Sequence, residues 1–459
     1  MNTTPGSAAP GRAAVVGGGG IAGLLAADQL TECGFAVTLL EASDRLGGIV
    51  RTDHADGLLL EQGPDSIHLA NPAGQALIRR LGLTDRTVPN RPGGASIFWK
   101  GRLHPIPAGT VLGIPTSLRA IARSSLFRRA HALSMALDFV ARPGPSDEDV
   151  SVGHLVRRRL GTAAADRLVG PLLGGISGQD IDDLSAAAAF PQLLAFEREH
   201  GSLIRGARAT AARRSGEPPF LSLRDGMGGL VDALVERLGS AELATGEAVV
   251  AIERTASGWR VVTAKRSIDA DLVVLAVPPT LAGDLVRDVS PDGAAALAGI
   301  PMRPAALVHL ASIEAGAKHD VGHGFVVAAS ERRSITAVTV ASAKWPDRAP
   351  GGTLLLRATV TGKLARSGAV TDDQLTRLVM QDVRSILGLG AEPTVTDVHR
   401  IADAQAIRQV GHLERVAAAR SELARAGSIA LVGGAYDGPG IPSIFESVER
   451  EVERLATPR

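Results

Sequence analysis

Gly18, Gly20 and Gly23 stand between a short apolar run, Ala13 to Gly17, and a segment with helical spacing, Ile21 to Leu30. Each glycine has a chemical reason at that spacing. The first permits a tight turn, the second lets backbone approach a pyrophosphate, and the third lets helix and strand pack closely. The helix amino end then faces the phosphates with its partial positive charge. Phe35 to Leu40 reads as a second strand, and Glu41 at its end is placed to accept from a ribose hydroxyl. Strand, glycine turn, helix, strand and acid within about 30 residues point to a bound dinucleotide. Gly19, Ile21 and Ala22 complete the expected seat in the turn, and Ala42 extends it beside the acid.

Two further glycine stretches choose among dinucleotides. Arg45-Leu-Gly47-Gly48 follows the ribose acid directly, and Gly63-Pro64-Asp65-Ser66 comes soon after. A nicotinamide-binding unit has no evident use for a second glycine pair there. An FAD-binding unit does, and this succession resembles the extended FAD motif of the amine-oxidase and phytoene-desaturase group. By that resemblance Arg45, Gly47 and Gly48 lie beside the pyrophosphate and ribityl chain, and Gly63 to Ser66 pass the isoalloxazine ring.

A chain of 459 residues exceeds one ordinary core, so two or three domains are expected, interleaved in sequence. The net charge of +1 gives no electrostatic bias toward nucleic acid. Cys33 is the single cysteine, which rules out an intrachain disulfide and a cysteine metal site. The polar start, Met1 to Arg12, and the absence of an apolar run of about 18 residues suggest a cytoplasmic chain. No Ser/His/Asp arrangement or HExxH motif stands out, no metal site is expected, and His68, His104, His200 and His412 are dispersed, with structural roles expected.

The elements that must position the glycines follow from periodicity. Residues 72 to 205 read as mainly helical, with helices at Ala76–Leu81, 116–141, 152–169 and 185–200. Helix Gly229–Leu238 precedes strands at Ala248–Ile252, Trp259–Thr263 and Leu272–Val277. Strands at Ala305–Leu310, Gly324–Ala329, Ser334–Val340 and Thr353–Val360 come next, then a helix over 371–387. Loops at 142–147 and 213–219 are the hinge candidates. After a last strand, Gly433 to Pro442 form another glycine turn, and Pro442-Ser443-x-x-Glu446 reads as a capping box. Ile444, Phe445, Val448, Val452 and Leu455 make one apolar stripe behind it.

The segments GPDSI, GRLHPIP, GIPTS, LVGPLLGGISGQDIDDLS, FPQLLAFEREHGSLIRGA, SLRDGMGGLVDAL and GGAYDGPGIP stand in that order. In this succession the chain, from Ala13 to about Val448, resembles the oxygen-dependent protoporphyrinogen and coproporphyrinogen oxidases of haem biosynthesis. The resemblance implies an α/β fold. A Rossmann-like FAD-binding domain of the amine-oxidase type would comprise 11–71, 219–290 and 425–459. A mixed α+β substrate domain would take 72–92, 172–218 and 291–424, and a helical, membrane-facing type of subdomain 93–171. Gly434, Gly440, Ile441 and Pro442 would run past the ribityl chain and ring, and the backbone of Val249 would meet the adenine side.

The same resemblance implies FAD as cofactor, a porphyrinogen substrate, molecular oxygen as acceptor and no catalytic side chain, the flavin carrying the chemistry. The expected reaction is six-electron oxidation of coproporphyrinogen III with peroxide release. Leu173, Ile176 and Phe325 are expected to line the slot, and Arg205 and Arg408 to meet propionates. Arg408 stands where relatives often carry tyrosine, and coproporphyrinogen has more propionates than protoporphyrinogen, which favours the former. Segment 116–141, apolar at Leu118, Ile121, Leu126, Leu133, Leu137 and Val140 and basic at Arg119, Arg123, Arg128 and Arg129, is expected to meet a membrane surface or a haem-pathway partner. Three other readings stay open: a protoporphyrinogen IX oxidase, a flavin amine or phytoene-type dehydrogenase, and a non-catalytic tetrapyrrole-binding relative. Oligomeric state also stays open.

Overall fold

The computed structural model describes residues 12–69, 71–142, 144, 148–213, 218–312, 321–390, 394–438 and 440–456. The hinge candidates at 142–147 and 213–219 fall largely outside these. A five-stranded sheet runs in the order Glu242–Ala244, Ala36–Leu40, Ala13–Gly17, Leu272–Leu275, Ile429–Leu431, every pair parallel. Its strands come from three distant parts of the chain, because parallel neighbours require long crossovers. Both faces are covered, as the continuous apolar runs demand. On one face Val16, Leu39 and Val274 pack with Leu24 and Leu25 of helix Ile21–Glu32, Leu230 of helix Gly228–Arg237 and Val448 of helix Ile441–Ala456. On the other, Val15, Leu40 and Leu275 pack with Trp259, Val261 and Leu423.

A second sheet has seven strands: Thr394–Ala406, Met302–Ser312, Leu354–Thr361, Ala337–Val340, Gly324–Val327, Ser96–Trp99 and Arg102–Pro105. Its two faces differ. Val308, Phe325, Val338 and Ala358 are buried under Leu375, Val379 and Val383 of helix Asp372–Leu387. The alternate residues Ala305, Val326, Ala337, Thr359 and Thr361, neighbours by register, are only half-buried. A methyl group at Gly175 would lie 3.2 Å from Val326, and one at Gly178 3.1 Å from Thr361 Cγ2, so the helical turn Gly175–Ser177 and its cap Gly178 border this half-open face.

The helical part departs from the expected single span over 116–141. It forms Leu118–Arg123 and Arg129–Ala136, separated by a turn. Ser124 stands at the break, its Oγ accepting from Leu126 N at 3.2 Å, while Ser117 caps the start of the first helix, its Oγ accepting from Ala120 N at 3.2 Å. Such side chains compete with helical backbone bonds. Ile121, Leu126 and Met135 are buried, whereas Leu133, Leu137 and Val140 are 74%, 62% and 79% exposed. No helix among the described residues is long and apolar enough to cross a membrane.

Candidate functional site

The glycine turn closes on itself before any ligand is considered. Gly18 has φ 103°, in the left-handed region, and the Cβ of any side chain there would stand 2.6 Å from the Ala276 carbonyl oxygen. A Cβ at Gly23 would come within 1.8 Å of the Gly18 carbonyl oxygen. Gly20 is different: the nearest heavy atom to its Cβ position is Gly48 Cα at 3.9 Å. Packing therefore explains Gly18 and Gly23, and open space lies at Gly20. Helix Ile21–Glu32 begins there with no side chain capping its amino end. Glu41 is held against the turn, its Oε2 accepting from Gly19 N at 2.6 Å and its Oε1 from Ser43 N at 2.8 Å.

The later glycine stretches join the same place. Gly20 bridges Gly47 in parallel, and Arg45 donates to the carbonyls of Leu46 and Gly48. Burial, then the neighbouring Arg51, lowers the Arg45 pKa. A Cβ at Gly63 would stand 1.8 Å from the Ile49 carbonyl oxygen, so Gly63-Pro64 runs directly against the Gly47–Ile49 turn. Val249 reaches it from the other side, its Cγ2 3.3 Å from the Cβ position of Gly17. At the C-terminal turn, Gly433 has its Cβ position 3.7 Å from Ala22, and Ile441 shares the core of Ile21 and Ala22. Tyr436 Oη donates to the Val277 carbonyl at 2.8 Å, tying this turn to the segment that follows strand Leu272–Leu275. Ala42 follows Glu41 on the exposed rim.

The expected capping box is corrected here. Ile444 N donates to the Gly440 carbonyl, so the helix begins at Ile441 with Gly440 just before it, and Ser443 falls inside its first turn. Glu446 instead accepts from Asn71 Nδ2 at 2.8 Å. Pro442 sits in the first turn, where its missing N–H costs nothing.

A polar layer links this cradle to the seven-stranded sheet, and sequence reasoning missed most of it. Arg51 Nε donates to Asp53 at 2.7 Å, while Gln62 Nε2 donates to Asp53 at 3.0 Å and to Asp397. Arg357 donates to the Gly63 carbonyl at 2.8 Å and stands 3.5 Å from Asp65. His309 pairs by register with Arg357, and burial, followed by Arg357, lowers its pKa to about 3, so it is neutral at pH 7. Alternation along Ala305, Leu307 and His309 was the available signal for that residue. Gln62 and Asp397 are 335 residues apart, and nothing local pairs them.

A profile for flavin-containing amine oxidoreductases matches residues 21–425. The chain belongs to that family. A coproporphyrinogen III oxidase from Propionibacterium freudenreichii subsp. freudenreichii is 34% identical over 99% of this chain and 93% of that protein. One from Bacillus subtilis (strain 168) is 31% identical over 96% of this chain and 97% of its own length. A crystal structure assigned as a protoporphyrinogen oxidase from Exiguobacterium sp. 255-15 superposes with a TM-score of 0.88 at 33% identity, covering 98% of this chain and 99% of that one. The fold is therefore that of the amine-oxidase type, and the family cofactor is a flavin. The residues present fit a flavin nucleotide: open space at Gly20, an uncapped helix terminus, and Glu41 beside the turn.

Within this family fold, the expected slot residues separate. Phe325 is 2% exposed and lies on the sheet face under helix Asp372–Leu387, so it cannot line the half-open face. Val326 does, one residue on, because successive strand side chains point to opposite faces. Leu173 is 1% exposed inside the helical core with Leu168 and Leu184. Ile176, in the short helical turn Gly175–Ser177 at the half-open face, is 63% exposed. Arg205 is exposed on helix Leu203–Arg213, its guanidinium 5.4 Å from the Phe139 ring centroid. Arg408 is 3% exposed and donates to the Gly434 carbonyl. Burial lowers its pKa to about 10, which leaves it charged at pH 7. His412, also buried, is lowered to about 4 by burial and by Arg408 and Arg415.

Proposed function

We propose that this protein is an FAD-dependent oxidase that converts coproporphyrinogen III to coproporphyrin III, with molecular oxygen as electron acceptor. The observation that carries the reading is the half-open sheet face of Ala305, Val326, Ala337, Thr359 and Thr361, joined to the glycine cradle through Arg357 and Gly63. It is uncharged and suits a flat, apolar macrocycle. Charge is confined to its edges. FAD, when bound, accepts electron pairs from the substrate and passes them to oxygen, three pairs in all for a porphyrinogen.

The chain's own residues bind and orient. Gly18 to Gly23, with Gly47 and Gly48, seat the pyrophosphate, and Glu41 holds a ribose. Val249 lies on the adenine side. Gly63 to Ser66 and the turn Gly434 to Pro442 flank the flavin ring, with the amino end of helix Ile441–Ala456 providing a partial positive charge. Arg408, buried beside Gly434, adds a full positive charge in the same quarter and is the candidate contact for a propionate. His309, neutral, keeps the polar layer free of a second buried cation beside Arg357.

The test is direct. Coproporphyrinogen III mixed anaerobically with the yellow enzyme is expected to bleach the flavin band, and in air to yield fluorescent porphyrin with peroxide. Side by side, kcat/KM for coproporphyrinogen III should exceed that for protoporphyrinogen IX by about tenfold, the worth of one extra charge-assisted carboxylate contact. A preference for protoporphyrinogen IX overturns the substrate choice. Bleaching by neither, or by a polyamine instead, overturns the porphyrinogen reading and favours an amine-type dehydrogenase or a non-catalytic relative.

The exposed Leu133, Leu137 and Val140, with Arg128 and Arg129 nearby in sequence, support a contact with an anionic membrane surface. The enzyme should float with phosphatidylglycerol vesicles, and Leu137→Asp with Val140→Asp should abolish this. Failure of the wild type to float removes the membrane contact and leaves a haem-pathway protein as the alternative partner.

A further inference from the structure

Pro304 cannot donate to a sheet ladder, and the register between Met302–Ser312 and Thr394–Ala406 shifts between Arg303 and Ala305. Arg303, two residues before Ala305 on the same strand, comes to the end of the half-open face by strand alternation. Its Cδ lies 3.5 Å from the Cβ position of Gly178, and Thr361 Cγ2, on that face, lies 3.1 Å from the same point. The guanidinium donates to the Gly178 carbonyl, and its Nε is buried without a partner. Arg303 is half-buried, and burial alone lowers its pKa, with no acidic residue acting against it.

Three other arginines in the interior are each paired with an acid. Arg159 meets Asp138 at 2.6 Å, Arg348 faces Glu61 at 3.8 Å, and Arg400 meets Asp372 at 2.7 Å. A desolvated charge with no counter-charge destabilises the fold that contains it. A planar guanidinium fork matches a carboxylate in two parallel hydrogen bonds. The neighbours of Arg303, a glycine carbonyl and a threonine methyl, leave that fork no acidic partner from the described chain.

We infer that Arg303 is a specificity-determining residue that binds a carboxylate of the substrate at the Gly178 and Thr361 end of the half-open face. The inference rests on the porphyrinogen reading, which supplies a macrocycle with carboxylates around its rim. Together with Arg408 it would place two cations near one end of the sheet. Strand pairing sets Met302 opposite Ala406, and Ile407 N donates to the Pro301 carbonyl, so the two arginines sit on adjoining strand ends.

The experiment compares an acid with its ester. The flavin-loaded enzyme is titrated with coproporphyrin III and, in the same detergent buffer, with coproporphyrin III tetramethyl ester. Arg303→Gln should raise the Kd of the acid by about tenfold, equivalent to about 1.4 kcal/mol. It should leave the ester's Kd and the flavin content unchanged, and raise KM for coproporphyrinogen III with kcat retained. Arg303→Lys, which keeps the charge but not the fork, should recover part of the loss. An unchanged acid Kd, or equal weakening of acid and ester, overturns the role of Arg303 while the porphyrinogen reading stands. A wild type that binds neither compound overturns both.

Discussion

Purified Gly20→Leu protein is expected to be folded and colourless. The site is open in the protein itself, since the nearest heavy atom to the Gly20 Cβ position is 3.9 Å away. A side chain can therefore be accommodated by the chain but not together with a pyrophosphate against the backbone. Losing two charge-assisted N–H contacts, about 1.5–3 kcal/mol each, weakens flavin binding by more than about a hundredfold. Gly23→Ala should behave differently, because its methyl carbon would stand 1.8 Å from the Gly18 carbonyl oxygen and must displace the turn. That variant should lose thermal stability as well as flavin. Flavin-to-protein ratio and far-ultraviolet circular dichroism, measured on both variants, separate the two effects. Full flavin occupancy in Gly20→Leu would falsify the placement of the pyrophosphate.

Asp65→Asn should destabilise the protein by about 3–5 kcal/mol, the usual consequence of removing one partner from a buried ion pair. Asp65 accepts from Lys344 Nζ at 2.9 Å, from Trp345 Nε1 at 3.3 Å and from Ser66 Oγ at 2.8 Å, with Arg357 at 3.5 Å. Burial pushes its pKa up, but Lys344 and Arg357 together outweigh burial and hold it far below the usual carboxylate range. The sign for stability follows. A carboxylate depressed in the folded state contributes its full stabilisation above its unfolded value, near pH 4, and loses it as pH falls further. The wild type should therefore lose its margin over Asp65→Asn only below about pH 4. Urea unfolding of both proteins, from neutral to acid pH, measures this. A difference under about 1 kcal/mol at pH 7 would show that the ion pair adds no more than an exposed one. Because Arg357 also donates to the Gly63 carbonyl, the variant should loosen Gly63-Pro64 as well.

How far the sequence reached depends on the range of the forces involved. The opening strand, the helix at Ile21 and the strand ending just before Glu41 were legible because turn sterics and hydrophobic periodicity act over a few residues. The three glycine stretches were legible as motifs, and the tertiary structure brings them against one another. Asp65 was read as a neighbour of the flavin ring from its place after Gly63-Pro64. Its chemical state was not legible, since its partner Lys344 is 279 residues away.

Alternation marked Gly324 to Ala329 as a strand but could not say which face helix Asp372–Leu387 would cover. That choice buried Phe325 and left Val326 on the half-open side. The capping box failed for a related reason: the helix starts earlier, at Ile441, and Glu446 finds Asn71 instead of its own backbone. Arg408 and Arg303 look alike in sequence to arginines that face solvent or an acid. Only the packing of distant strands decided that these two would be withdrawn from water without a carboxylate, because burial and pairing are properties of what the rest of the chain places around a residue.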